Sequence, residues 1–233
     1  MFQFKQFSVD QTGCAMKINT DGVLLGAIAE ANDPASILDI GTGTGVMALM
    51  LAQRYTNAII DAVEIDESAV ETAGRNFKNS AFHKRLNIHC SDINEFDENL
   101  ERKYDLIVSN PPFYINSLES PMERKTLAKH TEARFFELLI KDIAGFLAEK
   151  GTCWLILSIN AATEVKALIK QNGTSVSRTI DVHSYPHSAA HRVILCFGFE
   201  EVSQQTIKFT IYKDSGIYSD EYRKLLKHYF LAF

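Results

Sequence analysis

The chain has 233 residues, of which 46% are hydrophobic and 23% charged, so it can bury a full core. Its net charge of −5 excludes a protein that coats nucleic acid through overall positive charge, although a local basic patch stays compatible with this value. No apolar run reaches membrane-spanning length, and the N-terminus lacks the apolar region of a signal peptide. We therefore expect a cytoplasmic protein that does not bind membranes.

The cysteines and histidines do not form a metal-binding pattern. The four cysteines stand singly, with no Cys-x-x-Cys pair and no histidine at ligand spacing. His183, His187 and His191 recur every four residues, but Pro186 interrupts any helix that would align them. We predict no metal site.

The N-terminal segment predicts a short hairpin followed by a helix. Residues 1–12 alternate aromatic and polar side chains, which is typical of a hairpin or an extended arm packed on a domain. Thr20 is predicted to cap the helix that follows. Lys17 and Asp21 lie beside this cap, and their spacing alone assigns them to a solvated face.

A strand, a glycine-rich turn and a helix follow one another at residues 37–55. The turn at residues 41–45 reads Gly-Thr-Gly-Thr-Gly. A dinucleotide-binding turn needs Gly-x-Gly-x-x-Gly, but here the third glycine comes one residue early and Val46 takes its place. S-adenosylmethionine has no phosphate and needs only close approach of the backbone, so the turn favours that cofactor. The candidate cofactor residues here are Asp39, Gly41, Gly43 and Gly45.

Two further acids end the next two predicted strands. Glu64 ends the strand at residues 58–64, where an acid can hold the two ribose hydroxyls of a cofactor. Asp92 follows the strand at residues 86–90 and is placed to accept from an adenine amino group. Each acid alone is compatible with a loop or cap residue. Together with Asp39, however, three acids follow three successive strands, which indicates a cofactor site.

The fourth predicted strand, residues 104–109, ends in Asn110-Pro111-Pro112-Phe113. The prolines lack backbone donors and fix their φ angles, so the Asn110 side chain and nearby carbonyls are held as acceptors. Acceptors that grip the hydrogens of a ring-conjugated amino group favour its pyramidal, reactive form, and Phe113 would stack on the ring. The alternative is a loop that merely follows a strand. Sites in open α/β sheets collect at the carboxyl ends of strands, which favours a catalytic tip.

Beyond the tip we predict a long polar loop at residues 114–129 and an amphipathic helix at 131–149. Long loops at strand ends commonly hold substrates, so this loop is a candidate RNA contact, and a solvated charged face is the alternative. The candidate substrate-binding residues are Tyr114, Arg124, Lys125, Lys129 and His130.

The last third of the chain predicts mainly strands. The predicted elements are a strand at 153–158, a helix at 161–171, and strands at 175–182, 193–199 and 206–212. The short connection before residue 193 is typical of an antiparallel pair, and the last strand is expected at the sheet edge. Arg192 is a candidate phosphate contact, with a surface role as the default. Residues 219–233 predict a terminal helix or arm.

The glycine turn and the Asn-Pro-Pro-Phe tip resemble the class I S-adenosylmethionine-dependent methyltransferases, and the tip is similar to that of enzymes that methylate amino groups. Residues 4–7, 15–26 and 127–130 resemble the bacterial tRNA1(Val) (adenine-37-N6)-methyltransferases. The resemblance covers most of residues 1–160. It departs at Lys129, where an arginine is expected, and a lysine would lose a bidentate grip on phosphate.

The resemblance implies an α/β, Rossmann-like fold with a seven-stranded, mostly parallel sheet, helices on both faces and an antiparallel last strand. It implies one methyltransferase domain over residues 1–233, with an N-terminal arm at 1–30 and a C-terminal extension at about 203–233. Under this resemblance Lys17, Thr20 and Asp21 become part of the cofactor site or of the active-site wall.

The activity implied is methylation by S-adenosylmethionine of the N6 amino group of adenine 37 in the anticodon loop of a valine tRNA, by a monomer. Asn110 and the Pro111 carbonyl would hold the amino group in line with the methyl group, and Phe113 would support the flipped base. No metal and no strong general base are needed.

Other functions stay open at this point. An Asn-Pro-Pro-aromatic tip also serves enzymes that methylate a protein glutamine amide or guanine in ribosomal RNA. A non-catalytic RNA-binding module on the same scaffold is opposed by the intact set of Asp39, Glu64, Asp92 and Asn110. A nucleotide-dependent dehydrogenase is disfavoured by Val46 and by the tip.

Overall fold

The computed structural model describes residues 1–14, 16–97, 101–112 and 123–233, with the backbone alone for 123–130 and 132. Besides a short 3-10 helix at His83–Arg85, the described elements are β1 (Phe2–Gln3), β2 (Ser8–Val9), α1 (Thr20–Ile28), β3 (Ser36–Ile40), α2 (Val46–Arg54), β4 (Ile59–Glu64), α3 (Glu67–Lys78), β5 (Leu86–Cys90), α4 (Ile93–Phe96), β6 (Tyr104–Ser109), α5 (Glu123–Phe146), β7 (Leu147–Leu157), α6 (Ile159–Gln171), β8 (Ser175–His183), β9 (Ala190–Gly198), β10 (Gln205–Thr210), β11 (Tyr212–Asp214), β12 (Ile217–Tyr218) and α7 (Asp220–Leu226).

Eight of these strands form one sheet in the order β10-β8-β9-β7-β6-β3-β4-β5. Within it, β9 runs antiparallel to both of its neighbours, β7 and β8, and the other neighbouring pairs are parallel. The predicted antiparallel pair is thus confirmed. The predicted count of seven was too low by one, because β10 at the edge joins the same sheet in parallel with β8.

The central strands are buried on both faces. Leu106 and Val108 of β6 belong to the core beneath α1, α2, α3 and α7, whereas Ile107 between them belongs to the core beneath α5 and α6. A parallel strand covered on both faces needs apolar side chains at successive positions, which explains the Leu-Ile-Val run. The prediction that helices cover both faces of the sheet is confirmed.

Helix α5 corrects the predicted loop at residues 114–129. The helix begins at Glu123, so residues 123–129 are helical. Glutamate, arginine, lysine, leucine and alanine dominate this stretch, and all are strong helix formers. The predicted loop is therefore wrong for residues 123–129, while residues 114–122 lie outside the described residues.

The junction between α5 and β7 also differs from the prediction of a helix to residue 149 and a strand from 153. Leu147 already pairs with Tyr104, and Thr152 pairs with Leu106, so β7 contains a bulge between these two pairs. Gly151 lies in that bulge, where a Cβ would come within 2.6 Å of the Tyr104 carbonyl oxygen. This glycine marks a close backbone approach rather than the end of the helix.

The two ends of the chain pack on each other. The predicted N-terminal hairpin is confirmed as β1 and β2, and Phe4 between them bridges to Phe230. The Lys5 ammonium donates to the Phe233 carbonyl at 2.7 Å. Whether residues 1–30 and 203–233 act as an arm and an extension of one domain stays a prediction. Among the described residues, no helix has the length and apolar character needed to cross a membrane.

Candidate active site

A cavity of about 390 Å³ opens at the carboxyl ends of β3, β4, β5 and β6. Chain order reverses at β3, which has β4 on one side and β6 on the other, and ligands of open α/β sheets bind at such reversals. The cavity brings together a set of residues that the sequence predicted, namely Gly41, Gly43, Glu64, Asp92, Asn110, Pro111 and Pro112. Strand ends that are far apart in the sequence thus form one site.

The three glycines of the turn have two different roles. All have positive φ angles, of 70° at Gly41, 56° at Gly43 and 80° at Gly45. A Cβ at Gly41 or Gly43 would meet no atom of the described residues within 4 Å, so these residues leave open space in front of the two glycines. A Cβ at Gly45 would lie 2.4 Å from Cε1 of Phe77. Gly41 and Gly43 therefore line the cavity, whereas Gly45 allows α2 to pack against α3.

Asp39 fixes the turn from below. Its Oδ2 accepts from the Thr42 hydroxyl at 2.6 Å and from the Ala48 amide at 3.1 Å. Burial raises the pKa of Asp39 to about 7. In the described part of the chain its Oδ1 has no hydrogen-bond partner. Asp39 is not in the cavity lining, so its contact with a cofactor stays a prediction, while its link between turn and helix is observed.

Glu64 ties the end of β4 to the glycine turn. Its Oε2 accepts from the Gly43 amide at 2.9 Å, and its Oε1 accepts from the amides of Ile65 at 2.9 Å and Asp66 at 3.1 Å. A carboxylate has about four acceptor positions, and these bonds use three of them. Within the described ranges one position on Oε2 remains, and it is available to one hydroxyl group of a ligand.

Asp92 caps a short helix at the floor of the site. Its Oδ1 accepts from the Asn94 amide at 3.3 Å at the start of α4. Among the described residues this is the one hydrogen bond to the carboxylate, which leaves most of its acceptor positions for a ligand. Ile65 and Ile93 lie next to these acids in the lining, so the pocket combines apolar walls with acceptors, as an adenosine group requires.

The side-chain oxygen of Asn110, at the end of β6, is a buried acceptor without a partner among the described residues. The hydroxyl of the preceding residue, Ser109, donates to the Ile40 carbonyl at 2.9 Å and fixes the end of β6. Asn110 Oδ1 is buried and has no hydrogen-bond partner among the residues that the structure describes. Leaving such an acceptor unpaired costs about 1–3 kcal/mol. Asn110 itself lines the cavity, so an acceptor without a partner on this residue suits a ligand that donates a hydrogen.

Four other predicted residues lie away from the cavity lining. Lys17 and Thr20 are exposed. Asp21 forms an ion pair with Arg192, with 2.8 Å between Oδ2 and Nε. The prediction that Thr20 caps α1 was wrong, because Asn19 Oδ1 accepts from the Gly22 amide at 2.9 Å. The cofactor and substrate roles of Lys17, Thr20, Asp21 and Arg192 stay predictions.

The remaining candidates concern the segment after the tip. Phe113 and Tyr114 lie outside the described residues. The structure describes only the backbone, within α5, for Arg124, Lys125, Lys129 and His130. Their substrate contacts stay predictions.

Sequence reasoning missed part of the apolar wall. Phe135 and Leu139 of α5 line the cavity, and both pack with the core beneath α5 and α6. Their spacing of four residues places them on one face of the predicted amphipathic helix, and such an apolar face is expected to pack on the core. A helix face that packs on the core and a helix face that lines a pocket have the same apolar spacing. The sequence pattern therefore cannot distinguish the two.

The fold and this site define a class I methyltransferase that uses S-adenosylmethionine. Residues 15–179 match the family model of the methyltransferase small domain. The tRNA1(Val) (adenine(37)-N6)-methyltransferase of Pedobacter heparinus is 48% identical over 232 residues, covering 100% of this chain and 98% of the relative. The protein of the same name from Flavobacterium johnsoniae is 43% identical over 233 residues, covering 99% of each chain. The chain belongs to the tRNA1(Val) (adenine(37)-N6)-methyltransferase family.

A solved structure gives the same fold. It belongs to a protein of Agrobacterium tumefaciens described as a predicted O-methyltransferase, with a TM-score of 0.70 at 18% identity. The alignment covers 90% of this chain and 96% of that chain. At this sequence identity the similarity supports the fold and gives no information on the substrate.

Proposed function

We propose that the chain transfers a methyl group from S-adenosylmethionine to the N6 amino group of adenine 37 in the anticodon loop of tRNA1(Val). The observation that carries the proposal is the buried Oδ1 of Asn110, which has no partner in the described part of the chain and belongs to a residue that lines the cavity together with Pro111 and Pro112. An adenine amino group is a donor of two hydrogens and suits this acceptor. Relatives that match the chain over nearly its full length carry this activity in their names.

The cavity fits the cofactor. The open space at Gly41 and Gly43 accepts the methionine part, where a side chain would intrude. Glu64 Oε2 takes one ribose hydroxyl, and Asp92 accepts from the adenine amino group. When bound, the cofactor supplies a methyl group on a positively charged sulfur, which an amine nitrogen can attack. Lys17, Thr20, Asp21, Asp39 and Gly45 complete the proposed cofactor site and its support.

Asn110 prepares the amine for attack. Its Oδ1 and the Pro111 carbonyl each accept one hydrogen of the amino group, which draws the nitrogen lone pair out of conjugation with the ring. The Ser109 bond to Ile40 and the fixed φ angles of the prolines hold these acceptors in place. A nitrogen–carbon bond forms as the sulfur–carbon bond breaks, and the amine proton then passes to water. Correct positioning of the amine relative to the methyl group supplies most of the rate enhancement.

The RNA is bound beyond this tip. An anticodon-loop adenine is unpaired, so turning it into the cavity costs less than it would in a duplex. Phe113 and Tyr114 support the base, and the cations Arg124, Lys125, Lys129, His130 and Arg192 meet the phosphates. We propose that the protein acts as a monomer in the cytoplasm.

Methyl transfer from labelled cofactor to separated tRNA, ribosomal RNA and protein tests the proposal. We expect label in tRNA, and in a tRNA1(Val) transcript with adenine at position 37 but not in one with guanine there. Label only in ribosomal RNA would favour a guanine of ribosomal RNA as the substrate, and label only in protein would favour a glutamine amide.

A further inference from the structure

The loop between β8 and β9 lies at the same edge of the sheet as Asn110. Strand β8 runs parallel to β6, so the loop that follows His183 leaves the sheet where β6 delivers Asn110. Strands β7 and β9 lie between them, and three strand spacings of about 4.8 Å place the loop roughly 14 Å from the tip. A substrate that lies across the strand ends can reach both.

Tyr185 in this loop is the exposed end of a row of four packed tyrosine rings. Tyr185 is 41% exposed, and its ring centroid lies 5.6 Å from that of Tyr212. Tyr212 stacks on Tyr218 at 5.0 Å, and Tyr218 stacks on Tyr222 at 4.7 Å. Tyr222 is only 4% exposed. The exposed ring is thus supported by rings that continue into the core.

Hydrogen bonds hold the loop in one conformation. The Tyr185 amide donates to the Ser188 hydroxyl at 3.0 Å, and the Ser188 carbonyl lies 2.7 Å from Nδ1 of His183. The Lys208 ammonium donates to the Pro186 carbonyl at 2.6 Å. A ring on a fixed loop loses little conformational freedom when it binds a ligand, so a contact with Tyr185 is favourable.

The charge around the loop differs from that of the whole protein. Residues 183–192 contain three histidines and one arginine and no carboxylate, although the net charge of the chain is −5. The ammonium of Lys208 lies against the loop. Arg192 is paired with Asp21, so the charges of these two side chains cancel and Lys208 supplies positive charge at the loop. The surface therefore suits an anion more than the rest of the protein does.

We propose that Tyr185 stacks on an unpaired base of the anticodon loop while the target adenine occupies the cavity at Asn110. The proposal rests on the proposed function, because it takes the same tRNA as the ligand. Unpaired RNA bases stack on exposed aromatic rings, and the backbone between the two bases would cross the ends of β7 and β9. Tyr185 would then hold the loop in register with the active site.

The test compares Tyr185→Ala with Phe199→Ala. Phe199 is 38% exposed and follows the other end of β9, so it is a matched exposed ring at the opposite edge of the sheet. We expect Tyr185→Ala to weaken binding of tRNA1(Val) by about 5-fold to 100-fold, the effect of losing one base stack. Tyr185→Phe and Tyr185→Trp should bind as the wild type, and so should Phe199→Ala. Melting temperature and S-adenosylhomocysteine affinity should not change in any variant.

A second measurement identifies the stacked base. A series of anticodon stem-loops carries one abasic nucleotide, at each loop position in turn. We expect wild-type binding to weaken when the abasic nucleotide is at one particular position other than the target position. That same position should have no further effect in Tyr185→Ala, because the two changes remove one contact. Unchanged tRNA affinity in Tyr185→Ala would overturn the inference while the wild type still methylates tRNA. A wild type that does not methylate tRNA would instead overturn the proposed function.

Discussion

Arg192 on β9 donates from Nε to Oδ2 of Asp21 on α1 at 2.8 Å, and the two side chains are only 28% and 13% exposed. The pair ties the sheet to the first turn of α1. Gly22 in the same turn lies beside the tip, where a Cβ would be 3.8 Å from Asn110 Nδ2. The ion pair therefore positions the helix that packs against the proposed catalytic amide.

We expect Arg192→Ala to lower turnover by about 3-fold to 30-fold and stability by about 1–3 kcal/mol, since it leaves a partly buried carboxylate unpaired. Arg192→Lys keeps the charge but not the planar donor geometry and should recover part of each loss. Turnover and urea unfolding measure the two effects. The control is Arg178→Ala, which breaks the 2.7 Å pair with Glu30 that also links the sheet to the segment after α1. Equal turnover in Arg192→Ala and Arg178→Ala would argue against a positioning role.

Two glycines of the turn should respond differently to alanine. At Gly45 the positive φ and the 2.4 Å approach to Phe77 act together, so Gly45→Ala should lower the free energy of unfolding by about 2–4 kcal/mol. At Gly41 only the φ angle opposes the change, and the new methyl group enters the cavity. Gly41→Ala should lose less stability and more affinity for S-adenosylhomocysteine. Urea unfolding and calorimetry separate the two outcomes, and the reverse order would contradict the assigned roles.

The acids of the cavity should determine cofactor affinity. Asp92→Ala should weaken S-adenosylhomocysteine binding by about 1–3 kcal/mol through the loss of an acceptor. Glu64→Ala should do the same and also destabilise the fold, because the amides of Gly43, Ile65 and Asp66 lose their acceptor. The control is Asp105→Asn, at the opposite end of β6, where the carboxylate accepts from the Ala35 amide at 2.8 Å. Wild-type affinity in Asp92→Ala would remove Asp92 from the site.

Asp61 should make stability depend on acid pH. Burial raises its pKa, but hydrogen bonds from His89, Tyr104 and Asn87 outweigh burial and lower the pKa from 3.8 to about 2. Because the folded pKa is the lower one, the stabilisation is complete above about pH 4 and disappears as the pH falls through about 2. It amounts to about 2 kcal/mol.

The difference in unfolding free energy between the wild type and Asp61→Asn isolates this contribution. The difference should narrow as the pH falls from about 4 towards about 2. The raised pKa of Asp39 acts in both proteins and cancels in the comparison. A difference that does not change with pH would show that Asp61 acts only through neutral hydrogen bonds.

The parts of the site that the sequence predicted are those carried by short segments at strand ends. The glycine turn, Glu64, Asp92 and the Asn110 tip each follow a recognisable strand, and parallel strands bring their ends together. The link between Asp21 and Arg192 spans 171 residues of sequence, and no local pattern specifies it. Phe135 could not be assigned to the cavity because a pocket wall and a core face share the same helical spacing.

The chemistry at Asn110 is tested most directly by mass spectrometry of tRNA from a strain that lacks this gene and carries either the wild type or Asn110→Ala. Asn110→Ala should bind S-adenosylhomocysteine like the wild type yet turn over at least about tenfold more slowly, since its acceptor acts chiefly as the amine reacts. We predict that N6-methyladenosine at position 37 of tRNA1(Val) disappears without the gene, returns with the wild type and stays strongly reduced with Asn110→Ala. Full methylation with an equally expressed Asn110→Ala, or no loss of this nucleoside without the gene, would contradict the account.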